Sequence, residues 1–223
     1  MTTLFSKIIG VIRLIIHLAN PKHRRILKEV THSLTNDKDY KREKTFVMMV
    51  GLSKSGKTYV VENNSSLRDF FRVSTSKIHD LINENFNFLK DDNSVNGKAY
   101  WERQYLTRMV RKRLINQALK EGIAIVNDSC NLRKPPRKKD LYKAKKFGYQ
   151  IVLIWVLCSE SELLKRLQEA DEKSIRNGGK PVWISLHEMQ EKIFNNKNRP
   201  DKNEADRLVL VLSPIDDDPI RIY

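Results

Sequence analysis

Thiols are scarce in this sequence. Its 223 residues hold two cysteines, Cys130 and Cys158. They form no C-x-x-C pair and share no metal spacing with the five histidines, so a disulfide scaffold and a zinc ribbon both lack ligands. Reduced thiols in a cytoplasmic protein are the expectation, with Cys158, at the end of an apolar run, in the core. Glycine and proline are also few, 8 and 7. With no repeat and no low-complexity tract, most of the chain is expected to fold. Acid is in short supply as well: 27 Asp and Glu face 42 Lys and Arg, a net charge of +15. That excess favours nucleic acid, nucleotides or an anionic membrane surface as partners, without choosing among them.

What is present divides into two parts. In LFSKIIGVIRLIIHLANP, residues 4–21, Phe5, Ile9, Ile12 and Ile16 fall on one helical stripe, with Lys7, Arg13 and His17 opposite. This is an amphipathic helix, too short and too charged to cross a bilayer. Arg13 and the lack of an A-x-A site argue against a secretory leader. Residues 1–20 therefore either dock on protein, including a second copy, or lie peripherally on a membrane, with Lys22, Arg24, Arg25 and Lys28 meeting headgroups. THSLTNDKDYKREK then reads as a linker. The boundary is drawn between an extension, 1–44, and a domain, 45–223.

The domain opens on TFVMMVGLSKSGKTYVV. The loop fits G-x-x-x-x-G-K-[ST] at every position. Glycines let the backbone aim several N–H groups at one anion. The expected contacts come from Gly51, Ser53, Lys54, Ser55, Gly56, Lys57 and Thr58, with Lys57 on the β- and γ-phosphates of ATP and Thr58 on Mg²⁺. Strands and helices alternate from there: FFRVSTS, a strand ending near Thr75; WERQYLTRMVRKRLINQALKEG, a helix closed by Gly122; IAIVND; a basic helix begun after Pro136; QIVLIWVLC; SELLKRLQEA, with Ser159 and Glu162 as a capping box; ISLHEMQEKIF; and RLVLVL. Apolar strands alternating with helices predict a parallel sheet of about five strands, covered on both faces. The fold class is a three-layer α/β P-loop NTPase, kinase-like, with a short lid and an N-terminal helical extension.

Asp128 ends IAIVND, where a second acid for Mg²⁺ belongs. Arg166 on a helix and Arg176 in a glycine-bearing, lid-like segment are candidates to converge on the transferred phosphate.

From Thr45 to about Leu212 the chain resembles the polynucleotide-kinase and zeta-toxin branch of P-loop kinases. The likeness rests on GLSKSGKT, IVNDSCNLRKPPRKKDLYKAKKFGYQIVLIWV, ELLKRL, IRNGGKPVWISLHEMQEKIF and RPDKNEAD. It implies an ATP:acceptor phosphotransferase, with Asp128, Asn131 and Arg133 beside the acceptor and Arg176 in the lid. The branch usually carries an Asp base after the second strand, then an Arg or His three residues on. Here His79 stands for the second residue, but Ser76 occupies the place of the Asp. A serine cannot serve as a base without help, so Asp80, or His79 itself, is the candidate.

The basic residues cluster. Arg103, Arg108, Arg111, Lys112 and Arg113 share one helix. Arg133, Lys134, Arg137, Lys138, Lys139, Lys143, Lys145 and Lys146 surround a single acid, Asp140. A nucleic-acid 5′ end gains from phosphate contacts there, and Trp101, Tyr105 and Tyr142 could stack on bases. The same cations are also what a solvated helix face shows. Three readings follow: a kinase for a polynucleotide 5′-hydroxyl; a small-molecule kinase acting on a sugar nucleotide or nucleoside, like zeta toxins; and a nucleotide-gated binding or membrane-associated protein with little turnover.

Overall fold

Five apolar runs pair into a single parallel sheet. They are β1 (Thr45–Val50), β2 (Phe71–Ser74), β3 (Ile125–Asp128), β4 (Gln150–Cys158) and β5 (Arg207–Ser213), in the spatial order β2-β3-β1-β4-β5. The computed structural model describes residues 21–35, 40–85 and 98–213. The amphipathic segment 1–20 and the side chain of Trp101 lie outside the described residues.

Alternation along the strands sets the layers. Phe46, Met48 and Val50 face one side with Ile125, Ile151 and Leu153. Val47 and Met49 face the other with Val126, Ile154, Val156, Val209 and Val211. The first side is covered by α1 (Pro21–Thr35), α3 (Thr75–Asn85), α4 (Lys98–Glu121) and α5 (Lys134–Lys146). The second receives Val60 and Val61 of α2 (Lys57–Asn63), with Leu67 and Phe70. Each fully buried aliphatic side chain contributes about 1.5–3 kcal/mol.

Two boundaries differ from the reading of the sequence. The segment read as linker from Thr31 is helical through Thr35, inside α1. Ile26 and Val30 of α1 are fully buried in the same core as the sheet, and His23 bonds Glu102 of α4 at 2.5 Å. The basic helix starts at Lys134 rather than after Pro136, because prolines are tolerated in a first turn, where their missing N–H has no intrahelical partner. The last two helices are α6 (Glu160–Arg176) and α7 (Trp183–Ile193). Ser159 accepts from the Glu162 N–H at the start of α6, while the Glu162 carboxylate turns to Arg166 at 2.7 Å.

Register brings the site together. Ser74 pairs with Asp128, and Asn127 with Met48, so the carboxyl ends of β2, β3 and β1 lie level. β1 sits between β3 and β4, where the strand order changes direction, and ligands of open α/β sheets bind outside the strand ends at such a point. No helix among the described residues is long and apolar enough to cross a membrane.

Candidate active site

β1 ends at Val50 and the chain turns through Gly51 into the loop. Gly51 has φ +153°, and a Cβ there would come within 2.6 Å of the Val156 carbonyl oxygen. Gly56, at φ +98°, would meet the Ser213 hydroxyl at 2.9 Å. Only glycine fits either place, and the narrow, side-chain-free cradle that results suits phosphate oxygens. Lys57 is buried and folds its ammonium back onto the Leu52 carbonyl at 2.5 Å, inside the loop it is expected to serve.

Thr58 faces β3. Its hydroxyl lies 3.4 Å from Asp128 Oδ2. The Asp128 side chain is only 4% exposed, and a charge so buried needs a partner. Arg72 of β2 supplies it, donating through Nε at 3.0 Å and Nη2 at 2.6 Å to that same oxygen. Its Nη1 reaches Glu62 of α2 at 2.8 Å. One guanidinium thus ties the helix after the loop to the acid at the end of β3. A hydroxyl beside a carboxylate is an oxygen donor set that fits Mg²⁺, and the glycine cradle fits a triphosphate. The sequence reading missed Arg72, because a lone arginine at an alternating strand position looks like a solvent-facing residue.

Asn131 adopts a left-handed conformation, φ +47°. Its amide donates to the carbonyls of Met49 at 2.8 Å and Ser129 at 3.2 Å. Its Oδ1 accepts from Arg111 of α4 at 3.0 Å. It staples the end of β1 to the loop after β3. Arg133 precedes α5 and is exposed.

The basic run on α5 is largely answered from within. Arg137 is 2% exposed. It pairs with both Glu204 oxygens at 2.8 Å and donates to the carbonyls of Asn131 at 2.9 Å and Asn198 at 3.1 Å. Lys134 bonds Asp201, and Lys145 bonds Asp206 at 3.0 Å. Arg111, on α4, sits 3.2 Å from Asp140. A run of like charge cannot reveal acids some sixty residues downstream. Arg133, Lys138 and Lys139 remain exposed.

After β2, the Ser76 hydroxyl bonds that of Ser74 at 2.9 Å. Asp80 is exposed on α3. Burial, helped by Arg103, pushes His79 down to about 4, and its Nε2 is buried without a hydrogen-bond partner. At neutral pH that imidazole is uncharged and its Nε2 is sealed by burial, whereas the Asp80 carboxylate is open to solvent.

The α6–α7 segment closes against the loop. Arg166 donates to the Lys54 carbonyl at 3.3 Å and the Ser213 hydroxyl at 3.1 Å. Trp183 lies beneath the Lys54 ammonium, 4.2 Å from ring centroid to nitrogen. Gln190 of α7 accepts from the Ser53 N–H at 2.9 Å and donates to the Ser53 hydroxyl at 2.8 Å. Arg176 ends α6, exposed, at the glycine-bearing turn. Ser55 is buried behind the loop with its hydroxyl unpartnered.

Residues 46–193 match the AAA domain family. A structure from the PezAT chromosomal toxin–antitoxin system of the human pathogen Streptococcus pneumoniae is similar, with a TM-score of 0.68 and 14% identity over 87% of this chain and 79% of the other. A putative kinase from Chloroflexus aurantiacus J-10-fl gives a TM-score of 0.55 and 11% identity over 77% of this chain and 86% of the other. No curated protein sequence matches closely enough to count as a relative.

Proposed function

The chain belongs to the AAA domain family, with a kinase-like P-loop fold, and from that premise we propose that it is an ATP-dependent phosphotransferase acting on a polynucleotide 5′-hydroxyl. The observation that carries the transferase reading is the meeting of Thr58, Asp128 and Arg72 beside the loop. The cradle and Lys57 hold the triphosphate. Thr58 and Asp128 would hold Mg²⁺, which neutralises charge on the phosphates. Arg72 fixes the Asp128 carboxylate and compensates its burial. The acceptor oxygen bonds to the γ-phosphorus as the bond to the β–γ bridging oxygen breaks. ADP leaves with that electron pair, and the acceptor proton passes to Asp80 or to water. Such a transfer needs little help from a base, so Ser76 is no bar. Arg166, against the loop backbone, and Arg176, on the lid, supply positive charge to the phosphates. His79, Asn131 and Arg133 border the acceptor side.

The polynucleotide reading draws support from exposed Arg133 and Lys138, at the end of α5 nearer Asp128. A second reading, a small acceptor such as a sugar nucleotide or nucleoside, is favoured by the internal pairing of Lys134, Arg137 and Lys145. The experiment is transfer of labelled γ-phosphate with Mg²⁺ to a 5′-hydroxyl DNA oligomer, the matching RNA, a nucleoside and a sugar-nucleotide mixture. Label on an oligomer is the expected result. Label on a small acceptor alone moves the protein to the second reading, and ATP binding without any label contradicts the transferase.

A further inference from the structure

A second basic surface lies away from the loop. α4 ends at Glu121 and α5 at Lys146, both just before the amino ends of strands. Their last turns therefore sit at the opposite end of the sheet from Gly51. From there a cavity of about 480 Å³ runs along α4 from Lys120 to Arg113 and Lys112, with Leu27 of α1 and Met109 also in its wall. Lys143 of α5 reaches into the same region and bonds Asn116 of α4. Burial lowers the affinity of Lys143 for its proton, and Lys112, Lys120 and Lys139 add to the effect. Nearby acids are Asp140, engaged by Arg111, Glu121 and, on α1, Glu29, engaged by Arg25. Like charges gathered this closely oppose folding, so the gathering calls for an anionic partner.

We propose that the outer face of α1, α4 and α5 at this end docks on an anionic lipid surface. Three observations favour lipid over nucleic acid. No residue of the phosphate loop lines the cavity, so a 5′ end presented for reaction does not need it. The cavity wall supplies aliphatic rather than aromatic side chains, and the one exposed ring on α5, Tyr142, already has the Lys146 ammonium over it at 4.9 Å, where base stacking would call for open rings. Lysine dominates, a mobile point charge on a long stem suited to headgroups, where bidentate phosphate recognition uses arginine. The chain leading into α1 points the same way. Residues 1–28 hold six Lys and Arg and no Asp or Glu, and the apolar stripe of 5–16 is of the kind that lies in a bilayer interface. Lys28 continues that charge onto the exposed side of α1.

The test is co-sedimentation of the full chain with vesicles of phosphatidylcholine alone and of an equal mixture with phosphatidylglycerol. Binding to the mixed vesicles only, weakening with salt, is expected. The triple variant Lys112→Glu, Lys120→Glu, Lys143→Glu should lose more than about a hundredfold in partitioning, at about fivefold per charge removed. Its thermal midpoint should not fall, since repulsion is relieved, and its ATP binding should match wild type. A Lys→Gln triple should fall between. Wild-type vesicle binding by the Glu triple would overturn the proposal and leave residues 1–20 as the sole contact. No vesicle binding, with an oligonucleotide held through the same three lysines, would give the face to nucleic acid and overturn it equally.

Discussion

At the scale of single residues, burial separates groups that look alike in the sequence. Arg137 and Lys138 are neighbours in one basic run, yet the first is sealed against Glu204 and the second is exposed. Removing one partner of a buried pair strands the other's charge. Glu204→Ala should therefore lower the unfolding free energy by about 3–5 kcal/mol, while Lys138→Ala should change it by less than about 0.5 kcal/mol. Urea titration of both variants checks this, and equal small effects would remove Arg137 from its structural role. His79 gives a pH test. Its folded value is depressed from 6.5 to about 4, so below pH 6.5 the unfolded chain takes up a proton that the folded chain refuses. Stability should fall as pH drops from 6.5 towards 4, by at most about 3 kcal/mol. His79→Gln should flatten that slope; an unchanged slope would assign it to other groups.

At the scale of elements, most of the fold was legible, because each strand is an apolar run and the turns carry glycine. Gly122 and Gly148 do end helices α4 and α5 at positive φ. The phosphate loop was legible at every position, because a motif fixes residue types at fixed spacing. What was illegible depends on contacts distant in sequence. Gln190 grips Ser53 across 137 positions, and nothing local marks a glutamine on an amphipathic helix for that role. Arg72 and Asp128 meet only because β2 lies beside β3. Asp171 is a further case. Buried in the second half of α6, it accepts from the N–H groups of Val182 at 2.6 Å, Trp183 at 2.8 Å and Ile184 at 3.2 Å. It caps α7 from another helix, so no capping residue appears in the sequence at Val182. Asp171→Ala should destabilise α7 by about 2 kcal/mol. Hydrogen exchange at residues 182–186 should quicken accordingly while the sheet keeps its protection. Unchanged exchange there would show that α7 is held by Gln190 and Trp183 alone.

At the scale of the molecule, the net charge of +15 is unevenly distributed. Internal pairs absorb much of α5, while Arg133 and Lys138 stay exposed near the site end. If these two meet an acceptor's phosphates, replacing both with Glu should weaken oligonucleotide binding and lower the slope of log K against log salt by about two, leaving ATP affinity unchanged. An unaltered slope would detach them from the acceptor. The central claim is that the loop and Asp128 move a phosphate, and one comparison tests it most directly. Wild type and Lys57→Ala are given γ-labelled ATP, Mg²⁺ and an oligonucleotide ending in a 5′-hydroxyl, with a 5′-phosphorylated copy as control. The account predicts label on the hydroxyl oligomer with wild type only, and none on the blocked copy. Equal labelling by Lys57→Ala, or no labelling by a wild type that still binds ATP, would contradict it.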